Sequence, residues 1–171
     1  MRLQTMKQGE HLCMLYSLAM LINVPAEELL KELGTNPGQK LWPYLPEPLC
    51  YRGVCIEECQ DLLYKRRKIL AKLNVFPAVM SCSKAEPYNL YTEDTAKQRI
   101  MAYLERADCI IEGLLPTGVR HAVACDGVQI YDPRGWTKPV MDVDFAIDSL
   151  YLLGNLQNDS IRRRTGTVFA N

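Results

Sequence analysis

Arg120-His121-Ala122-Val123-Ala124-Cys125, then Asp126-Gly127, then Val128-Gln129-Ile130-Tyr131-Asp132-Pro133 is the stretch on which the reading of the fold turns. Asp-Gly between two apolar-rich runs is a strong two-residue turn signal, because both turn positions favour positive φ. A hairpin closed there pairs Cys125 with Val128, Val123 with Ile130 and His121 with Asp132. Directly opposed residues point to one face, with Cβ atoms about 5 Å apart. The companions of His121 and Asp132 on that face are Val123, Ile130, Cys125 and Val128, so it is expected to be buried. A carboxylate beside a half-buried imidazole orients the ring and favours its protonated form.

Working outward, the segment from Leu12 to Asn23 is apolar on every side, as in a buried central helix. Pro25 suits the first turn of a second helix with Leu29, Leu30 and Leu33 inside, ended by Gly34. Thr35 to Pro48 holds four prolines and reads as a long loop. A third helix is expected from Cys55 or Ile56 to about Leu70, with its acids first and its bases last, matching the helix dipole. Val75 to Cys82 is a strand candidate, at an edge because of Pro77. Residues 83–94 read as another loop, and Thr95 to Ala107 as an amphipathic helix capped by Asp94. Asp108 to Leu115 reads as a short buried strand. After the hairpin come a turn at Pro133-Arg134-Gly135, a last strand at Ser149 to Leu153, and a polar tail over residues 155–171. Helices first and an antiparallel sheet afterwards define an α+β domain, one unit over residues 1–171.

The chain has 171 residues, enough for one domain with a real core. Its 20 basic and 20 acidic residues cancel, which gives no general case for nucleic-acid or membrane binding. The apolar run from Leu12 to Ile22 is well short of the roughly 20 residues that span a bilayer. Its flanks, Arg2 and Lys7 before and Val24-Pro25-Ala26 after, loosely imitate a signal peptide, but Glu10 and His11 run against that reading. Seven irregularly spaced cysteines fit free thiols in a reducing cytoplasm better than a disulfide framework. Cys50, Cys55 and Cys59 have neither a nearby histidine nor a fourth ligand, so buried thiols account for them more simply than zinc. The triplet Arg162-Arg163-Arg164 reads as a solvated tail. Trp42, Tyr44 and Tyr51 form a candidate cleft wall for an extended peptide.

Cys13 stands where the chain enters its most apolar helix. A thiol at a helix N-terminus feels partial positive charge, and an imidazole partner makes its thiolate available as a nucleophile. The N–H of Cys13 points outward at a helix start and offers one donor to an oxyanion. Gln8, five residues upstream, is the candidate second donor, with Gln4 a weaker substitute. The set is therefore Cys13 as nucleophile, His121 as base, Asp132 as orienter and Gln8 as oxyanion donor. His11 is the alternative base, but it lies too near Cys13 in sequence to serve easily.

Gln8-Gly-Glu-His-Leu-Cys13-Met-Leu-Tyr-Ser-Leu-Ala-Met-Leu-Ile22 resembles the nucleophile helix of papain-like cysteine peptidases, nearest to the bacteriocin-leader-processing branch. Arg52-Gly-Val-Cys-Ile-Glu-Glu-Cys-Gln-Asp-Leu-Leu63 is similar to their second helical element, and His121 to Pro133 to their His-to-Asp-Pro hairpin. The resemblance covers residues 8–33, about 50–70 and 108–135 in the same order. It implies a papain-like fold and a thiol hydrolase cleaving a peptide or isopeptide bond through a Cys-His-Asp triad, without metal or organic cofactor. The expected partner is a peptide or protein substrate. Met14 stands where the family commonly has glycine, and Gln8 is one residue nearer the cysteine than usual. Those two departures support the alternative: a catalytically inactive papain-like module that grips a partner protein, as in a small viral or mobile-element factor. Acyl transfer to an amine is a third reading.

Overall fold

The computed structural model describes residues 12–47, 49–74, 103–104 and 108–156. Three helices come first: α1 (Cys13–Ile22), α2 (Ala26–Leu33) and α3 (Ile56–Lys65). The strands β1 (Lys68–Asn74), β2 (Cys109–Leu114), β3 (Arg120–Cys125), β4 (Gln129–Asp132), β5 (Trp136–Pro139) and β6 (Ala146–Asn155) follow. They form one six-stranded antiparallel sheet in the order β1-β6-β2-β3-β4-β5. The architecture is α+β.

Both helices of the first pair end in the left-handed conformation, α1 at Asn23 (φ 54°) and α2 at Gly34 (φ 64°). Asparagine and glycine are the two residue types that adopt it at least cost. Between the helices the chain needs only Val24 and Pro25 to turn. Cys55 is the N-cap of α3, and the Glu58 carboxylate accepts its backbone N–H at 3.1 Å, as in a capping box. That cap, with Cys50 and Cys59 buried, gives each of these three thiols an ordinary structural place. The third helix is shorter than the sequence implies. It ends at Lys65, Arg67 turns left-handed at φ 55°, and Lys68 already belongs to β1. Arg66 closes the end by donating to the Leu62 carbonyl at 3.1 Å and pairing with Glu32 of α2. The strand expected at 75–82 and most of the helix expected at 95–107 lie outside the described residues.

The sheet is buried on both faces. On one side α1 to α3 pack against Leu70, Ile110, Ala122, Ala124, Tyr131 and Tyr151. On the other lie Cys109, Ile111, Val123, Cys125, Ile130 and Leu150, together with Val140 and Phe145. This explains the near-continuous burial along β2 and β3. The helix-facing positions of β3 are alanines, so α1 can approach its backbone closely, and Ser17 Oγ donates to the Ala122 carbonyl at 3.1 Å. The last strand begins earlier and ends later than expected. β5, which the sequence analysis does not anticipate, adds an edge through Asp132↔Trp136 pairing.

The hairpin register differs from the expected one by two residues. Cys125 pairs with Ile130 and Ala124 with Tyr131. The cause is Asp126, which occupies the residue before the turn centre instead of a turn position. Its Oδ1 accepts the N–H of Val128 at 3.0 Å and that of Gln129 at 2.8 Å, the local bonding that makes aspartate a turn former. Its Oδ2 accepts the Tyr131 hydroxyl at 2.7 Å. Gly127 takes the positive φ of 89°, and Val128, expected to be buried opposite Cys125, is 71% exposed. A two-residue shift preserves the faces, since side chains alternate with period two. His121 and Asp132 therefore still share a face, but as diagonal neighbours.

Beside His121, β2 meets β6 in a β-bulge between Glu112 and Gly113. A Cβ on Gly113 would overlap the Ala146 carbonyl oxygen and lie 2.9 Å from Ile147 Cα. These are backbone atoms that cannot swing aside. Gly113→Ala is expected to destabilise the fold by about 3 kcal/mol in urea unfolding, from overpacking. Gly38→Ala puts its new Cβ against Asn36 Oδ1 alone, at 3.5 Å. That variant should stay within about 0.5 kcal/mol of the parent.

Candidate active site

Cys13 is the first residue of α1, so its N–H is one of the four that helix geometry leaves without an intrahelical partner. Its side chain is partly exposed. His121 is the second residue of β3, directly across from Gly113, and only 5% exposed. Asp132 ends β4 with no exposed surface. The fold thus gathers one residue from a helix start and two from adjacent strands.

His121 Nε2 lies 2.8 Å from Asp132 Oδ2. An ionised carboxylate only accepts, so Nε2 carries the proton and donates it. That leaves Nδ1 open, and the Cys13 side chain is the other group near enough to favour the charged ring. The Phe145 ring meets the imidazole edge to face, with centroids 5.9 Å apart and planes at 81°. Such T-shaped contact is a favoured aromatic geometry, and here it covers the imidazole from solvent. Burial by itself lowers the proton affinity of His121. The hydrogen bonds and charges of Asp132 and Cys13 outweigh burial and push the group from 6.5 up to about 9. For Asp132, burial favours the neutral acid, yet hydrogen bonds from His121 and Arg134 hold its carboxyl down at about 2.

Three of the four residues expected from sequence, Cys13, His121 and Asp132, come together. Gln8, with Gln4 and His11, lies outside the described residues, as does the arginine triplet at 162–164. Met14 is buried in the helix-facing core with Leu18 and Leu63. Trp42 and Tyr44 are exposed, and the Tyr51 hydroxyl donates to Glu47 Oε1 at 2.7 Å.

Arg134 belongs to the site as well, although its sequence reads only as part of the Pro133-Arg134-Gly135 turn. Its backbone N–H donates to Asp132 Oδ1 at 2.7 Å. Its Nε lies 3.0 and 3.2 Å from the two carboxylate oxygens, and its Nη2 donates to Oδ2 at 2.8 Å. The available signal was an arginine two residues after the acid, across a proline-containing turn that brings the chain back on itself. No family model matches the chain, and no curated protein or solved structure shows significant similarity to it.

The shifted groups fix how stability depends on pH. A raised His121 contributes in full below 6.5, and the contribution is lost as pH rises through about 9. A depressed Asp132 contributes in full above its ordinary 3.8, and that contribution is lost as pH falls through about 2. Urea unfolding of the parent protein should therefore weaken from pH 6.5 to about 9 relative to His121→Gln. The expected loss is about 2 kcal/mol. Parallel pH curves for the two proteins would contradict the assignment.

Proposed function

We propose that this chain is a thiol hydrolase of the papain-like cysteine peptidase type, cleaving a peptide or isopeptide bond. One observation carries the reading: a buried histidine bonded through Nε2 to a fully buried carboxylate stands beside a thiol at a helix start, near enough for the thiol to favour the charged ring. The order of parts supports it as well, with the cysteine on the first helix and the histidine and aspartate on neighbouring strands of a later antiparallel sheet.

The steps follow from these positions. The Cys13 thiolate attacks the carbonyl carbon, and the oxygen takes up the negative charge beside the Cys13 N–H, with Gln8 the proposed second donor. As the tetrahedral intermediate collapses, the C–N bond breaks and the amine leaves with the proton from His121 Nδ1. A thioester remains on Cys13. Acylation removes the thiolate, and with it one of the two groups that hold the His121 proton. The ring is then more readily neutral, as it must be to take a proton from water. Hydroxide addition and loss of the thiolate complete the turnover, with Asp132 fixing the tautomer throughout.

A binding module without catalysis would leave the arrangement of Cys13, His121 and Asp132 without a task. On a quenched peptide library, Cys13→Ala and His121→Ala should each lower kcat/KM by roughly 10³-fold or more, and Asp132→Ala by less. Iodoacetamide at mildly acidic pH should label Cys13 ahead of the other six cysteines. Uniform labelling of all seven thiols, or full turnover by Cys13→Ala, would sink the reading.

A further inference from the structure

Asp132 is gripped a second time, by Arg134, which takes Oδ1 and shares Oδ2 with His121. Arg134 gives it a backbone N–H, a guanidinium Nε shared between both oxygens, and an Nη2. The guanidinium is itself fixed, stacked on the Trp136 ring with its carbon 5.2 Å from the centroid, within the range of cation–π attraction. On the same ring lies Lys138 Nζ at 4.5 Å, which pairs with Asp144 at 3.1 Å. The side chain of Arg134 nevertheless remains 41% exposed. The other charged groups near His121 are committed elsewhere: Arg120, on its own strand, pairs with Glu112 and Asp148.

We infer that Arg134 is a positioning residue of the Cys13–His121 relay, clamping the Asp132 carboxylate in one orientation and keeping it ionised while His121 is neutral. The inference rests on the hydrolase reading, in which His121 alternates between imidazolium and imidazole. With the imidazolium present, Asp132 has two counter-charges, His121 on Oδ2 and Arg134 on both oxygens. When the ring gives up its proton, a carboxylate with no exposed surface loses one of them. A buried, uncompensated charge is costly, and such a carboxyl recovers a proton instead. Protonated Asp132 would no longer demand the proton on Nε2, and Nδ1 would cease to be reliably the basic nitrogen. Arg134 stays charged through the cycle, so the acceptor character of Asp132 does not depend on the state of the ring it orients. The fork spans both oxygens and so fixes the plane of the carboxylate while Oδ2 also accepts from His121, which a single point charge would not enforce.

The test uses the full chain. The His121 ring is titrated by NMR, and Cys13 alkylation by iodoacetamide is followed against pH with peptide mapping. Removing a fixed positive charge makes the His121–Asp132 pair hold its proton more tightly. Arg134→Gln should therefore move the His121 titration up by about half a pH unit or more, and the alkaline limb of Cys13 alkylation with it. Arg134→Lys keeps the charge and loses the fork. It should leave the titration at the parental position while lowering turnover of the peptide library. A titration unmoved in Arg134→Gln overturns the inference, as does one displaced equally by Gln and Lys. Arg134→Met carries the same expectation as Gln, and failure of both to fold would assign the residue to the fold alone and overturn it too. An unreactive parental Cys13 would end the hydrolase reading separately, while the His121 titration would still decide the role of Arg134.

Discussion

The carboxylate of Asp132 has no surface in contact with water, and much of the neighbouring structure answers to that fact. A buried charge persists only where hydrogen bonds and opposite charge replace its lost hydration. Here His121 supplies one partner and Arg134 the rest, by both backbone and side chain. The turn after β4 returns the chain so that Trp136 of β5 pairs beside Asp132, and this also places a ring under the guanidinium. A short edge strand with a proline at its end thus has a reason to exist: it holds the counter-charge of a buried acid.

How far the sequence could be read depended on whether local signals governed the outcome. The run from Leu12 to Ile22 had no polar face to misplace, and the helix formed where it was expected. Gly34 stopped α2 because only a backbone tolerant of positive φ fits there. In the hairpin the shared face of His121 and Asp132 was legible because alternation survives a two-residue shift. The register was not, because Asp126 spends its side chain on the turn's own N–H groups and so moves the bend one residue along. At Lys65 to Lys68 a run of bases imitates a helix end that continues. The reversal at Arg67 answers to β1 pairing with β6, which lies far along the chain. Such non-local pairings leave no local trace. β5 and Arg134 were hidden for the same reason.

The site itself is a case of long-range assembly from short-range pieces. Each of Cys13, His121 and Asp132 sits at or next to the end of an element, and two of the three are buried there. Their meeting requires β3 and β4 to be neighbours in the sheet with the start of α1 at their side. Burial on both faces of the sheet holds α1 against β3, with alanines under the helix and larger side chains on the far face.

One hydroxyl gives this layering a metric. Ser17 lies one helical turn beyond Cys13, and the carbonyl it bonds belongs to Ala122, the neighbour of His121. The tether therefore ties the helix to the strand immediately behind both halves of the relay. Any slide of α1 along the sheet would stretch that bond before it separated sulfur from imidazole. A serine in the dry interior thus couples the helix that carries the thiol to the strand that carries the ring, as part of the framework.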